Sequence, residues 1–322
     1  MTDKLLQLDN ATKHFKVRKF LESNQKVRAM ENINLEIDKG EILSLVGESG
    51  SGKSTTAKVI VKIHPLTSGK ILFKDRDIYN GYYDKESKEY KQEVQMIFQD
   101  PFGSLNPTHT IRSILKRPFL IHDICSPKKV EMYMKQKLKE VGLEPPGQFL
   151  DKFPHELSGG QLQRVNIARA MAVEPELLLA DEPTSMLDVS IRINMMNKMM
   201  ELKEKNNISY LYITHNLAGA RYIADRIAVM YAGLLVEIGP AERIIQNTLH
   251  PYTMLLKKAA PQPEKGFSEE KMNLSTEIPS LINPPTGCRF HPRCEYKKPE
   301  CDEKIPDMRE ENEGHFVRCY LY

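Results

Sequence analysis

The sequence predicts an α/β protein built on a doubly wound parallel sheet, with a phosphate-binding loop where one apolar strand runs into a helix. Three observations carry this. Residues 45–56, LVGESGSGKSTT, end an apolar strand (ILSLV) in a glycine-rich turn, and Gly47, Gly52, Lys53 and Ser54 match G-x-x-x-x-G-K-[ST]. Residues 177–182, LLLADE, form an apolar run closed by two acids, the pattern of a parallel strand buried on both faces. Strand-like and helix-like segments alternate along most of the chain, which places ligands at the carboxyl ends of the strands.

The loop residues have the types that phosphate binding requires. Gly47, Gly50 and Gly52 let the backbone turn tightly and bring successive N–H groups onto phosphate oxygens. The helix that follows, STTAKVIVKI, aims its positive dipole end at the same anion. Lys53 reaches the β/γ-phosphates and Ser54 offers its hydroxyl to Mg²⁺, with Ser49, Ser51 and Thr55 completing the candidate ATP-binding set. A Gly/Ser turn with an incidental lysine would not bring its own strand and helix.

Taken in order, residues 4–8 and 32–37 alternate as strands and bracket TKHFKVRKFLESNQ. After the loop come a turn at HPLTSG, a strand KILFK, and a polar, tyrosine-rich stretch DIYNGYYDKESKEYKQ read as loop and exposed helix. EVQMIF is a strand that delivers Gln99 at its end. From about 101 to 173 the pattern turns helical, with Val130, Met134, Leu138 and Val141 recurring at i+4 or i+3. The methionines of INMMNKMMELKEK read as packing on a helix. Strand SYLYIT leads to His215, followed by a helix, the strands IAVMY and LLVEIG, and the helix AERIIQN. Residues 260–285, rich in Pro, Glu and Ser, read as a linker to a small cysteine-bearing tail.

With 322 residues, 40% of them apolar, the chain can bury one large core and something smaller. Its net charge of +3 gives no nucleic-acid footprint. The N-terminus MTDKLLQLDN has no apolar signal core, and the longest uncharged apolar stretch, IAVMYAGLLV (227–236), is too short to span a bilayer. A soluble, intracellular chain is expected, doing any membrane work through partners.

Asp181 and Glu182 stand where LLLA ends. Asp181 is placed to hold Mg²⁺ through water, as the second acid of a phosphate-loop protein does. Glu182, where the chain turns, can polarise a water attacking the γ-phosphate; two acids merely capping the next helix are the plainer alternative. LSGGQ (157–161) opens a helix with Ser158, Gly159, Gly160 and Gln161: a second anion-binding start without a lysine or, taken alone, an ordinary helix start, its position before LLLADE favouring the first.

GESGSGKS, Gln99, LSGGQ, LLLADE, the SMLD stretch (185–188) and His215 occur in the order and spacing of the ATPase subunits of ABC transporters, and the resemblance covers residues 1–258. It implies a P-loop NTPase of the ABC type: a RecA-like parallel-sheet core, an antiparallel β subdomain and a helical subdomain near 101–173. It also implies a head-to-tail dimer whose two ATP sites each lie between one subunit's P-loop and the other's LSGGQ. Phe15 would stack on adenine, and Gln99 would touch Mg²⁺ and sense the membrane partner. Ser158 and Gly160 would bind the γ-phosphate across the dimer, His215 would hold that phosphate near Glu182, and Asp188 would belong to the connecting D-loop. Phe15 stands where Tyr is commoner and Met186 replaces a small residue; neither change removes a catalytic group.

QDPFGSLNPT (99–108), HPYT (250–253) and INPPTGCRFHPRC (282–294) narrow the resemblance to the dipeptide and oligopeptide branch of ABC importers, and to its F-type ATPase. That branch pairs two different ATPases with two transmembrane permease subunits and an extracytoplasmic binding protein. The chain is then expected on the cytoplasmic face of the membrane, with residues after Gln99 forming part of the groove for a permease helix. A nickel or oligosaccharide importer of the same family is the alternative. A soluble nucleic-acid-linked ABC ATPase would need a long coiled coil or tandem cassettes, which the sequence lacks.

Residues 259–322 form the C-terminal extension. Four of the five cysteines, Cys288, Cys294, Cys301 and Cys319, fall in its last 35 residues at C-x5-C, C-x6-C and C-x17-C spacing. That is not zinc-finger spacing. The resemblance suggests a [4Fe–4S] cluster, with zinc or idle thiols as the alternatives, in a structural role separate from ATP hydrolysis. Cys125 reads as an ordinary thiol.

Overall fold

The computed structural model describes residues 3–17, 25–80, 87–259 and 279–322. Parts of the N-terminal arm (18–24), the tyrosine-rich stretch (81–86) and most of the expected linker (260–278) lie outside the described residues.

Two sheets organise the described residues. The smaller is antiparallel, in the order β2–β1–β4–β5, from β1 (Lys4–Lys16), β2 (Lys26–Asp38), β4 (Ser68–Phe73) and β5 (Arg76–Asp77). The larger holds β3 (Ile42–Val46), β6 (Val94–Ile97), β7 (Leu177–Asp181), β8 (Ser209–Thr214), β9 (Arg226–Tyr231), β10 (Leu234–Pro240), β11 (Arg309–Asn312) and β12 (His315–Val317). Its order is β11–β12–β10–β9–β3–β8–β7–β6. The run from β9 to β6 is parallel, and β10, β12 and β11 add antiparallel at one edge.

Burial on both faces explains the unbroken apolar strands. Leu177 and Leu179 pack with Leu43, Leu45, Leu211 and Ile213 under the small sheet and the helix Lys53–Ile60. Leu178 and Ala180 face the other way, with Tyr210 and Tyr212, onto the helical region. That region contains Ile111–Ile121, Val130–Glu140 and Gly159–Met171; Val130, Met134, Leu138 and Val141 all lie in its core, as their spacing predicts. Met195, Met196 and Met199 of the helix Val189–Asn206 are buried there too, which confirms the packing role read for these methionines. The exposed-helix reading fails at one point. Tyr90, on the helix Lys88–Glu93, is buried, meets Phe73 edge-on at 5.6 Å and donates its hydroxyl to the Ile60 carbonyl at 2.7 Å.

The cysteine-bearing tail is part of the main sheet. β12 pairs with β10 (Glu237 with Val317, Ile238 with Phe316). Fully buried Glu237 accepts from the Leu249 and His250 amides at 2.9 Å, and its carboxylate lies 2.9 Å from Nε2 of His315 on β12. The tail's sparse apolar side chains, Phe290 and Val317, are buried against the main body, so a segment too poor to form its own core uses another's.

Candidate functional site

The parallel strands end on one edge, and the candidate residues gather there. Gly47 follows β3, Gln99 follows β6, Asp181 closes β7, Glu182 follows it, and His215 follows β8. Ser54 donates its hydroxyl to Asp181 Oδ1 at 3.0 Å. Glu182 Oε2 accepts from the Gln99 carboxamide at 3.3 Å and lies 3.1 Å from His215 Nδ1. Glu182 itself is held in the left-handed region, φ 44°, with its amide on the Ile213 carbonyl at 2.9 Å. Such a backbone is costly for a non-glycine residue and persists where the surroundings over-determine it. Ser185 adds its hydroxyl and amide to the Glu182 carbonyl at 3.0 and 3.2 Å, and Thr184 between them meets Tyr212 Oη at 3.0 Å in the core. Asn216 caps the next helix by accepting from the Ala218 and Gly219 amides, which fixes the turn carrying His215.

The loop is built for close approach. A Cβ on Gly47 would lie 2.1 Å from the Met230 carbonyl oxygen. Gly52 has φ +112°, and a Cβ there would lie 2.2 Å from the Ala29 carbonyl oxygen. These two glycines let the loop sit against β9 and β2, a demand additional to offering amides to phosphate. Gly50 departs from the shared part that the sequence reading gave all three. It is exposed, with open space where a Cβ would stand, so only its left-handed backbone, φ +78°, asks for glycine. The reason is position: Gly50 and its exposed neighbour Ser49 turn away from the sheet, while Ser51 is buried beneath them.

The helix Lys53–Ile60 has no side-chain cap, leaving its first amides to a ligand. Buried Lys53 folds back to donate to the carbonyls of Gly47 (2.7 Å) and Glu48 (2.8 Å), and burial lowers its pKa from the usual lysine value. Asp181 is shifted up by burial, which its hydrogen bond from Ser54 opposes. Hydroxyl, carboxylate and carboxamide oxygens in this set suit Mg²⁺, which takes one or two carboxylates and completes its shell with phosphates and water.

LSGGQ stands apart. Ser158 is exposed and caps its own helix: its hydroxyl accepts from the Gln161 amide at 3.3 Å, and the Gln161 side chain accepts from the Ser158 amide at 3.1 Å. Among the described residues no hydrogen bond joins this segment to the P-loop of the same chain. Gly160 packs closely on Ile191 and Leu187, beside exposed Met186, Asp188, Val189 and Ile193. Phe15 lies on β1, half-buried, edge-on to His64 at 5.0 Å with the Lys13 ammonium 4.9 Å from its ring centre.

In the tail, Cys288, Cys294, Cys301 and Cys319 line one cavity of about 10 Å³, together with His250 and His291. Burial raises the Cys288 thiol to about 11, and raises Cys294 and Cys319 as well, which opposes thiolate formation. Among the described residues no group of three or more His, Cys, Asp or Glu is arranged to hold a metal ion. The four thiols thus share one cavity, but no arranged metal-binding group among the described residues supports the expected cluster.

The tail is nevertheless not separate from the nucleotide loop. Arg293 reaches Glu48, the second residue of GESGSGKS, and Tyr252 of HPYT accepts the Glu48 amide at 2.7 Å. Sequence reasoning gave neither residue a role. They sit inside two of the three short stretches that marked the branch, and that was the available signal.

A P-loop and a second glycine-rich helix start, carried on a parallel sheet with antiparallel and helical additions, define an ABC-type ATPase. The ABC transporter family matches residues 30–185, and the oligopeptide/dipeptide transporter C-terminal region matches residues 236–301. The oligopeptide transport ATP-binding protein AppF of Bacillus subtilis (strain 168) is 44% identical over 99% of this chain and 97% of its own. OppF of Salmonella typhimurium, an oligopeptide transport ATP-binding protein, is 39% identical over 98% and 95%. A solved dimeric ATP-binding cassette in a post-hydrolysis state bound to ADP and Pi matches with TM-score 0.64 at 29% identity, over 74% of this chain and 99% of that one. The chain belongs to the ATP-binding proteins of the oligopeptide and dipeptide ABC transporters. It is an ATPase whose hydrolysis is coupled to transport. Among the described residues no helix is long and apolar enough to cross a membrane.

Proposed function

We propose that this chain binds Mg·ATP at residues 47–55 and hydrolyses it to energise the import of oligopeptides or dipeptides. The carrying observation is the meeting of Ser54 with Asp181, and of Gln99 and His215 with Glu182, at the carboxyl ends of adjacent strands. Mg²⁺ would be held by Ser54, Gln99 and, through water, Asp181, and would neutralise charge on the transferring phosphoryl group. Glu182 would orient the attacking water, and His215 would donate to the developing phosphate charge. Phe15, on the half-buried end of β1, would face the base.

The P-loop site needs a second anion donor, and Ser158 of an apposed cassette supplies it in this reading. Support comes from the exposure of Ser158 beside the apolar Met186, Val189 and Ile193. The apposed cassette would be a homologous second ATPase. Two permeases would sit over the groove of about 440 Å³ lined by Phe98, Leu105, Ile114 and Ile121, and an extracytoplasmic binding protein would deliver the peptide. For the tail thiols, a [4Fe–4S] or zinc site draws support from their shared cavity alone. Brown anaerobic protein or about one zinc per chain would establish it, and metal-free protein with four titratable tail thiols would dismiss it.

Glu182→Gln tests the central assignment in the transporter reconstituted with its permeases. ATP binding should persist while hydrolysis and peptide uptake fall together by about 10²–10⁴. Near-normal turnover would refute the role of Glu182, and hydrolysis indifferent to a peptide-loaded binding protein would refute the peptide substrate.

A further inference from the structure

The segment between Cys288 and Cys294 sends two arginines, buried Arg289 and half-buried Arg293, into the nucleotide-binding half of the molecule. Arg289 donates to the Ala232 carbonyl and to Glu31, at the β9–β10 turn and on β2. Arg293, 7% exposed, places both terminal nitrogens on the Glu48 carboxylate, at 2.8 and 3.0 Å. Its guanidinium lies 5.7 Å from the Tyr231 ring centre and 5.8 Å from that of Phe290, and donates to Tyr231 Oη at 3.2 Å. Tyr231, Tyr252 and Phe290 pack ring against ring at 4.5 to 5.5 Å around it.

Glu48 is therefore gripped twice from outside its own motif: Tyr252 holds its amide and Arg293 its carboxylate. Its carbonyl, with that of Gly47, is where Lys53 Nζ donates. A bidentate guanidinium–carboxylate pair fixes orientation as well as distance, and a mostly buried one resists screening. The order of contact runs from the cysteine-bearing tail through Arg293 and Glu48 to the lysine that meets phosphate.

We infer that Arg293 is a positioning residue for the phosphate loop, by which the C-terminal tail sets the affinity of the site for ATP. This rests on the reading of residues 47–55 as the ATP site. The tail then acts on the nucleotide without touching it, and a change in the Cys288–Cys294 turn reaches Lys53 through one ion pair. Arg293 lies far along the chain from the loop, so neither segment specifies this contact locally.

The experiment measures ATP dissociation constants on the full-length chain and steady-state kinetics in the transporter reconstituted with its permeases, in wild type, Arg293→Gln, Arg293→Lys, Glu48→Gln and the double Gln variant. Arg293→Gln should raise the dissociation constant and KM for ATP about five- to thirtyfold, the range of one lost network contact, with kcat at saturating ATP within about twofold. Arg293→Lys should fall between, since lysine keeps the charge and loses the fork. Glu48→Gln should match Arg293→Gln, and the double variant should add nothing further. A simple staple between tail and cassette would lower the melting temperature and the active fraction, moving kcat and leaving KM alone; that result overturns the inference. Additive effects overturn it as well. If Arg293→Gln does not fold, Glu48→Gln leaves the tail intact and decides alone, unchanged affinity counting against. Wild-type protein that fails to bind ATP would instead refute the ATP-site reading itself.

Discussion

The helix starts at Gly52 and at Ser158 are both glycine-rich, and both end a turn that can present amides to an anion. They are finished in opposite ways. The first has no side-chain cap, a left-handed glycine, and a buried lysine folded against two carbonyls. The second closes on itself through the Ser158–Gln161 box and lies exposed, with no charged partner among its hydrogen bonds. The first is built into the core, so its neighbours dictate its residues. The second is accessible, so its residues answer to something that arrives. The difference suits the composite site proposed above: one half pre-formed at high cost, the other able to exchange a self-made cap for a ligand.

The sharpest way to break this contrast is Ser158→Arg. Turnover of the assembled transporter should drop by about 10²–10³, the loss typical of one missing donor to developing charge. ATP affinity of the isolated chain should stay within about twofold, because no hydrogen bond ties Ser158 to its own P-loop among the described residues. Loss of ATP binding in the isolated chain would mean that the two starts serve one site in cis.

Alanine at two of the glycines should separate the starts further. Gly52→Ala forces a Cβ into φ +112° and against the Ala29 carbonyl oxygen, so thermal unfolding should show a loss of at least about 1–2 kcal/mol. Gly159 has open space around its Cβ position. Gly159→Ala should be neutral or stabilising by up to about 1 kcal/mol, whatever it does to turnover. Equal destabilisation would erase the distinction between a core-built and an accessible loop.

The smallest expected effect is in pH. Burial lowers the Lys53 pKa from 10.5, so as pH rises Lys53 loses its proton earlier than an exposed lysine would. ATP affinity should therefore begin to weaken at a lower pH than the ordinary lysine value of 10.5 would allow, and be insensitive to this group toward neutrality. Ser158→Ala should show the same slope, because that helix start contributes no titrating cation. A flat affinity would argue that bound phosphate holds Lys53 protonated throughout.

Much of this was legible along the chain. The P-loop, LLLADE, Gln99 and His215 are local patterns, and strand ends on one sheet edge bring them together without further instruction. The buried parallel strands followed from unbroken apolar runs, and the helical region from its spacing. Within the P-loop, the pattern could not tell the crowded Gly47 and Gly52 from the open Gly50, since the crowding atoms belong to β9 and β2. Tyr90 was misplaced because its surroundings are polar in sequence, and only packing on Phe73 shows that the face is inward. The left-handed Glu182, whose amide is held by the Ile213 carbonyl, has no local signature for that hold, since it comes from a neighbouring strand.

The tail shows the boundary most clearly. Its sequence by itself determined four thiols, few apolar residues and a link to one branch of transporters. Tertiary structure decided that β12 extends the main sheet, that the four thiols share one cavity, and that Arg293 lies against Glu48. The physical reason is range. Periodicity, turn chemistry and motif spacing act over a few residues and can be read directly. The Arg293–Glu48 pair spans 245 positions and exists only because a sheet edge, an aromatic cluster and a buried glutamate bring the two ends of the chain together.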